Sequence, residues 1–344
     1  MGGDYAPAAV VKGAVLAVRK WGIPLILVGN QDLIAKELAG VSYNPSLITV
    51  RHCTEVAGMG ESPIDVIRRK KDASIRVALE LVKNGEAEGA VSAGNSGATM
   101  ALGVIVLGKL HGVERPALGA ILPSHDSSTL LIDVGANVDC TASQLVQFAI
   151  MAEPLARYLM KRPQPRVGIM SIGEEETKGN ELVRQTAEIL KKTPLNFIGN
   201  VEGRDIFSGR VDVIVCDGFV GNICLKLSEG LAQTLKGMLK EEFSSSLRSK
   251  IGFLFMRSAF QRFSKRVDYA EYGGVPLLGV DGVVVVSHGA SNPRAIMNAI
   301  RVAGQSVKNR ISDHVLEGLK AHEAYYRKLK PHRFWDSMKK KVNP

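Results

Sequence analysis

Residues 88–100 read E-G-A-V-S-A-G-N-S-G-A-T-M, a short apolar run that ends in small and polar residues and then turns helical in pattern. Gly89 to Ala93 has the length and character of a buried strand, and Gly94-Asn95-Ser96-Gly97 lets the backbone turn tightly and approach a ligand. Thr99 to Leu107 tolerates a helix. A helix beginning here aims unpaired N–H groups and the positive end of its dipole at whatever lies above the strand, which favours an anion. One such loop alone is equally an ordinary strand-to-helix turn.

The arrangement recurs. Ser128 to Val134 runs into Gly135-Ala136-Asn137, Arg166 to Ile172 into Gly173-Glu174-Glu175, Val211 to Cys216 into Asp217-Gly218-Phe219-Val220-Gly221-Asn222, and Gly282 to Val286 into Ser287-His288-Gly289. Strands apolar on both faces and separated by helical stretches predict a three-layer α/β/α sandwich on a mainly parallel sheet, with ligands at the carboxyl ends of the strands. Five polar loops are then expected at one sheet edge. No repeat or low-complexity linker divides the chain. Residues 1–330 read as one catalytic unit of interwoven lobes that contains a helical hairpin over 238–268, and residues 331–344 read as a basic tail.

The 344 residues, 45% hydrophobic, support a large core and hold no apolar run long enough to span a bilayer; the opening residues do not resemble a signal peptide, so a cytoplasmic protein is expected. Cys53, Cys140, Cys216 and Cys224 lack C-x-x-C spacing, which argues against both a disulfide framework and a zinc site. A formal charge of +10 favours an acidic partner: a nucleic acid, an anionic membrane or an acidic carrier protein.

The chain opens on Met1-Gly2-Gly3-Asp4, a glycine turn with no strand ahead of it, and the start is expected to lie inside a longer natural protein. Further on, Glu174-Glu175-Glu176 points in three directions and makes a poor chelator, whereas Lys178 is placed to meet a phosphate or a developing oxyanion. Asn222 is placed to cap a helix from Ile223 to Leu239, or to donate its amide to a reacting carbonyl. Between Phe243 and Arg266 there are six cations and no acid. On a helical wheel Phe253, Met256, Phe260 and Phe263 share one face opposite Arg257, Arg262, Lys265 and Arg266, with Leu254 and Phe255 off it and Gly252 separating two helices. That pattern fits seating on an anionic membrane surface or packing against a partner.

Six ordered motifs, M-G-G-D-Y-A-P, V-S-A-G-N-S-G-A-T, I-D-V-G-A-N, S-I-G-E-E-E-T-K-G-N-E, D-G-F-V-G-N and S-H-G-A-S-N, closely resemble the bacterial phosphate acyltransferase of phospholipid synthesis, over residues 1 to about 330. The resemblance implies transfer of a fatty acyl group from acyl carrier protein to inorganic phosphate, giving acyl phosphate for a membrane glycerol-phosphate acyltransferase. It also implies a fold similar to phosphotransacetylases and to isocitrate and isopropylmalate dehydrogenases, and a homodimer. Lys178 and Asn222 match catalytic positions, and the basic amphipathic segment matches the part that touches the membrane. Members of that family begin with a short strand before M-G-G-D, which this sequence lacks.

Phosphate attacking a thioester needs an anion cradle, an oxyanion donor and a groove for an apolar chain, with no metal or redox cofactor expected. Gly94, Asn95, Ser96, Gly97 and Lys178 are read as holding phosphate, Asn222 as stabilising the thioester oxyanion, and His288 or Asn137 as orienting a reactant. Three other readings compete. A short-chain phosphotransacetylase leaves the basic hairpin unused, a hydroxy-acid dehydrogenase lacks its acid cluster, and a nucleic-acid or membrane binder leaves the polar loops unexplained. Nucleic acid is therefore not expected as a partner.

Overall fold

A computed structural model describes residues 1–125 and 127–329; the expected basic tail at 331–344 lies outside them. The chain begins with α1 (Ala8–Trp21), β1 (Leu25–Gly29), α2 (Gln31–Ala39), β2 (Ile48–His52), α3 (Pro63–Arg69) and α4 (Ser74–Lys83). The opening motif then forms β3 (Gly89–Ser92) and α5 (Ser96–Leu102), which runs on as a π-helical turn over Gly103–Leu107. β4 (Ala117–Pro123), β5 (Ser128–Ile132), α6 (Ala142–Tyr158), β6 (Val167–Met170), α7 (Glu181–Leu190), β7 (Phe197–Val201) and β8 (Val213–Val215) follow. After them come α8 (Gly218–Ser244), α9 (Leu247–Val267), β9 (Val275–Leu278), β10 (Val283–Val286), α10 (Pro293–Lys308) and α11 (Ile311–Leu329).

Eight strands form one sheet in the order β3-β10-β9-β4-β5-β8-β6-β7, and β1 and β2 form a separate parallel pair. Leu130, Leu131, Ile132, Val213, Ile214 and Val215 at its centre are fully buried, as strands covered on both faces require. On one face they meet Val66 of α3, Leu79 of α4 and Leu102 of α5, with Val220 and Leu225 of α8 packed alongside. On the other they meet Phe148 and Leu155 of α6, Leu190 of α7 and Val315 of α11. The result is the expected three-layer sandwich.

The expectation that five loops share one sheet edge is corrected. β3 and β10 run parallel, β9 runs against β10, β4 against β9, and β5 against β4. β8, β6 and β7 then follow β5 in parallel. The loops after β3 and β10 thus lie at one end of the strands, and those after β5, β6 and β8 at the other. The cause is the short connection over 124–127, which permits only an antiparallel hairpin because a parallel crossover needs about a dozen residues. The stretch from Tyr269 to Leu278, expected as a connection, contains β9 instead; its Pro276 pairs with Val285 but lies beyond the residues paired to β4, where a missing N–H is tolerated.

The hairpin turns at Ser245 and Ser246, not at Gly252, which lies inside α9. Ser246 caps α9, its hydroxyl accepting from the Ser249 N–H at 3.1 Å, and such a cap fixes a helix start more strongly than a single glycine breaks a helix. Phe243 near the end of α8 packs at a tilt against Phe253 and edge-to-face against Phe260 of α9, at centroid distances of 4.8 and 5.2 Å, which ties the two helices together.

Candidate active site

The loop after β5 is built around Asp133. Its fully buried carboxylate accepts from the backbone N–H groups of Leu118 (2.9 Å), Gly135 (3.3 Å), Ala136 (3.1 Å) and Asn137 (2.7 Å), and from the Asn137 side-chain amide at 3.0 Å. Burial pushes this carboxyl above its ordinary range against the pull of these donors. The Asn137 amide also donates to the Pro116 carbonyl at 2.8 Å, so its NH2 group is fully engaged within the loop.

α8 starts against this loop. Its N-cap is Asp217, whose carboxylate accepts from Phe219 and Val220 at 2.9 and 3.0 Å, so Asn222 is not the cap expected from the sequence. An acid directly before the helix takes the first orphan N–H groups and leaves Asn222 inside the first turns. Among the described residues the half-buried Asn222 amide makes no hydrogen bond, and a side-chain carbon on Gly135 would lie 3.6 Å from its Cβ and Cγ. Gly221 lies so close to the Asp133 carbonyl that no larger residue fits, which seats the helix start on the loop.

At the same end of the strands, the loop after β6 presents Lys178. This residue is exposed and forms no ion pair among the described residues. The neighbouring acids are engaged elsewhere: Glu174 with Arg210 at 3.0 Å and Glu176 with Lys191 at 2.8 Å. The loop is pinned by Asn200, whose amide donates to the Glu175 carbonyl at 2.8 Å.

Gly94, Asn95, Ser96 and Gly97 occupy the other end with His288. Asn95 is structural: its Oδ1 caps α5 through the Ala98 N–H at 2.9 Å, and its Nδ2 donates to the carbonyls of Gly58, Met59 and Glu61 at 2.8 to 3.1 Å. The Ser96 hydroxyl is exposed. His288 accepts from the Ala290 N–H at its Nδ1 (3.1 Å), which places the proton of the neutral ring on Nε2. No hydrogen bond among the described residues joins this group to Lys178 or Asn222. α8 runs between the two groups: Glu229, seven residues beyond Asn222 and about 10 Å along the helix, lies within electrostatic range of the His288 ring. Burial raises the Glu229 carboxyl, while His288 and Lys226 act to lower it.

Three cysteines surround the start of α8, and burial raises all of them: Cys140 is pushed up to about 11, Cys216 well up, and Cys224 upward. Such thiols are poor nucleophiles.

The sequence model of the family described as "Fatty acid synthesis protein" matches residues 1–314. A phosphate acyltransferase from Geobacter sulfurreducens is 54% identical over 326 residues, covering 95% of this chain and 94% of that protein. One from Trichlorobacter lovleyi is 54% identical over 319 residues, covering 93% and 92%. The chain belongs to the phosphate acyltransferase family.

Among solved structures, the fold of this phosphate acyltransferase family member is similar to a phosphotransacetylase from Streptococcus pyogenes, with TM-score 0.60, 18% identity, and coverage of 88% of this chain and 92% of that one. A phosphotransacetylase from Staphylococcus aureus matches with TM-score 0.59, 14% identity, and coverage of 88% and 91%. The chain brings Asn137 and Asn222 together at one end of the strands, with Lys178 on a loop at that end, and Gly94 to Gly97 with His288 at the other. Sequence reasoning missed Asp133 as the organiser of its loop, Asp217 as the cap and Glu229 as a buried acid within electrostatic range of His288. Asp217 was detectable, since an acid directly before Gly-Phe-Val at a helix start is a capping signal. Asp133 and Glu229 declare themselves only through tertiary contacts.

Proposed function

We propose that this family member transfers a long-chain fatty acyl group from the thioester of acyl carrier protein to inorganic phosphate, forming acyl phosphate for phospholipid synthesis. The observation that carries the reading is the unengaged amide of Asn222, held in the first turns of α8 between the Asp133 loop and the positive end of the helix. Donors fixed in advance where negative charge develops stabilise a transition state without reorganising. Asn222 donates to the thioester carbonyl as it becomes an oxyanion. Lys178, with no carboxylate partner among the described residues, holds the attacking phosphate. A phosphate oxygen attacks the carbonyl carbon, the C–S bond breaks, and the phosphate proton ends on the departing sulfur. The raised cysteine pKa values favour this direct transfer over an acyl-cysteine intermediate. His288 and the backbone of Gly94, Ser96 and Gly97, further along α8, contact the rest of the acyl donor; Asn95 and Asn137 shape the loops.

The charge of +10 suits acyl carrier protein as an acidic donor. Among the described residues no helix is long and apolar enough to cross a membrane. α9 exposes Leu247, Ile251, Leu254, Phe255, Met256 and Phe263 beside Lys250, Arg257 and Arg262, which suits peripheral seating on the inner face of an anionic membrane, where a membrane glycerol-phosphate acyltransferase takes the product. Phe253 and Phe260 instead hold the hairpin together through Phe243 of α8. Ile223, Leu227, Leu231, Leu235 and Met238, each about half exposed or more, form one stripe along α8, which suits a homodimer. Mass spectrometry of the protein with phosphate and either long-chain acyl carrier protein or short-chain acyl-CoA tests the substrate class. Acyl phosphate formed faster from the carrier is expected; faster product from short-chain acyl-CoA would instead make it a phosphotransacetylase.

A further inference from the structure

Attack of phosphate on a fatty thioester calls for a surface that takes an apolar chain, and four side chains around Asn222 have that character. Val138, Ile172, Phe219 and Ile223 are large and apolar, yet they are between 50% and 84% exposed. They come from three separate parts of the sequence: Val138 from the loop after β5, Ile172 from the loop after β6, and Phe219 and Ile223 from the first turns of α8, which follows β8. β5, β8 and β6 lie side by side and run in parallel, so all three segments emerge at the same end of the sheet. Contacts and register draw them together. The Asn137 carbonyl, one residue before Val138, accepts at 2.7 Å from the N–H of Gly218, one residue before Phe219. Ile169 is level with Val215, and three residues farther on Ile172 comes level with Gly218. Phe219 and Ile223, four residues apart, share a face of α8. The spacing of neighbouring strands sets the width of the group, from β5 across β8 to β6, at about 10 Å.

We infer that these four side chains form an apolar rim that receives the first methylenes of the acyl chain and thereby selects a long-chain donor over a short one. The inference rests on the acyl-transfer reading above, because the carbonyl met by the Asn222 amide fixes where the chain begins. Hydrocarbon leaving that carbonyl reaches the rim at once, since Asn222 lies between Phe219 and Ile223 in the same turns of α8. Other occupants fit less well. None of the four side chains carries a hydrogen-bonding atom, whereas the thioester arm of the carrier has amides that need partners when they leave water. An acidic protein surface finds no cation among them. An alkyl chain needs neither, and it covers apolar surface that otherwise faces water. Each fully buried methylene changes an equilibrium or rate by about fourfold, so even a half-covered stretch of three or four carries roughly a tenfold preference. At Ile223 the rim meets the stripe that continues along α8 from Leu227 to Met238.

The test measures kcat/KM on acetyl and dodecanoyl thioesters of acyl carrier protein for the parent, for Ile172→Ser with Phe219→Ser, and for Ile172→Leu with Phe219→Leu. The parent is expected to prefer the dodecanoyl donor. The serine pair is expected to lose at least about tenfold of that preference, most of it in the dodecanoyl rate, while the leucine pair keeps it. An unchanged preference in the serine pair would overturn the rim. So would an equal fall on both donors, which would make these side chains structural or part of the carrier contact, and so would a halved sedimenting mass with the preference intact, which would assign them to a second copy. A parent that forms no acyl phosphate from either donor would instead sink the transfer reading, and binding then decides the rim by itself. Dodecanoyl phosphate, unlike inorganic phosphate, is expected to slow hydrogen exchange in the first turns of α8 at least about tenfold in the parent and not in the serine pair; equal effects of the two ligands on the parent would overturn the rim.

Discussion

Asn222 and Gly221 are neighbours with opposite demands. Asn222 keeps its amide unengaged, while Gly221 must remain without a side chain because the Asp133 carbonyl occupies that space. Gly221→Ala is expected to destabilise the fold by about 3 kcal/mol, read by urea unfolding, and to lower turnover of the folded fraction by lifting Asn222 from the loop. His322 gives a pH signature: burial pushes its pKa down from 6.5 to about 4. Its neutral form is favoured in the folded state, so its contribution is fully present above pH 6.5 and is lost as pH falls toward 4. Unfolding free energy should thus drop more between pH 7 and pH 5 in the parent than in His322→Gln; equal slopes would remove the assignment.

At the scale of elements, α8 combines three tasks. Its first turns carry Asn222, Glu229 lies within electrostatic range of His288, and its exposed stripe continues toward the hairpin. Replacing the exposed Leu254, Phe255 and Met256 by serine is expected to weaken binding to anionic liposomes while turnover on soluble substrate stays near the parent value. Replacing Phe253 and Phe260, which pack on Phe243, should instead lower hairpin helicity by circular dichroism. The basic, aromatic character of this hairpin was legible in the sequence, but its inner face was not. A helical wheel locates an apolar face without saying whether the partner is the preceding helix or a lipid, and Phe255, set aside as off the face, is 83% exposed. Likewise each strand ahead of a polar loop was legible from its apolar run. The reversal between β4 and β5 was not recognised, although the connection over 124–127 is too short for a crossover.

For the whole molecule, the sheet places late strands between early ones, so β9 and β10 separate β3 from β4 and the site is assembled from distant parts of the chain. The apolar stripe on α8 is expected to meet a second copy. Leu227→Glu with Leu231→Glu should halve the mass seen by sedimentation, and an unchanged mass would assign the stripe elsewhere. The most direct test of the central claim is single-turnover mass spectrometry with long-chain acyl carrier protein, with and without phosphate, for the parent, Lys178→Ala and Asn222→Ala. The account predicts acyl phosphate only when phosphate is present, formed at least about a hundredfold more slowly by each folded variant. Near-parent rates in both variants, or release of free fatty acid in place of acyl phosphate, would contradict it.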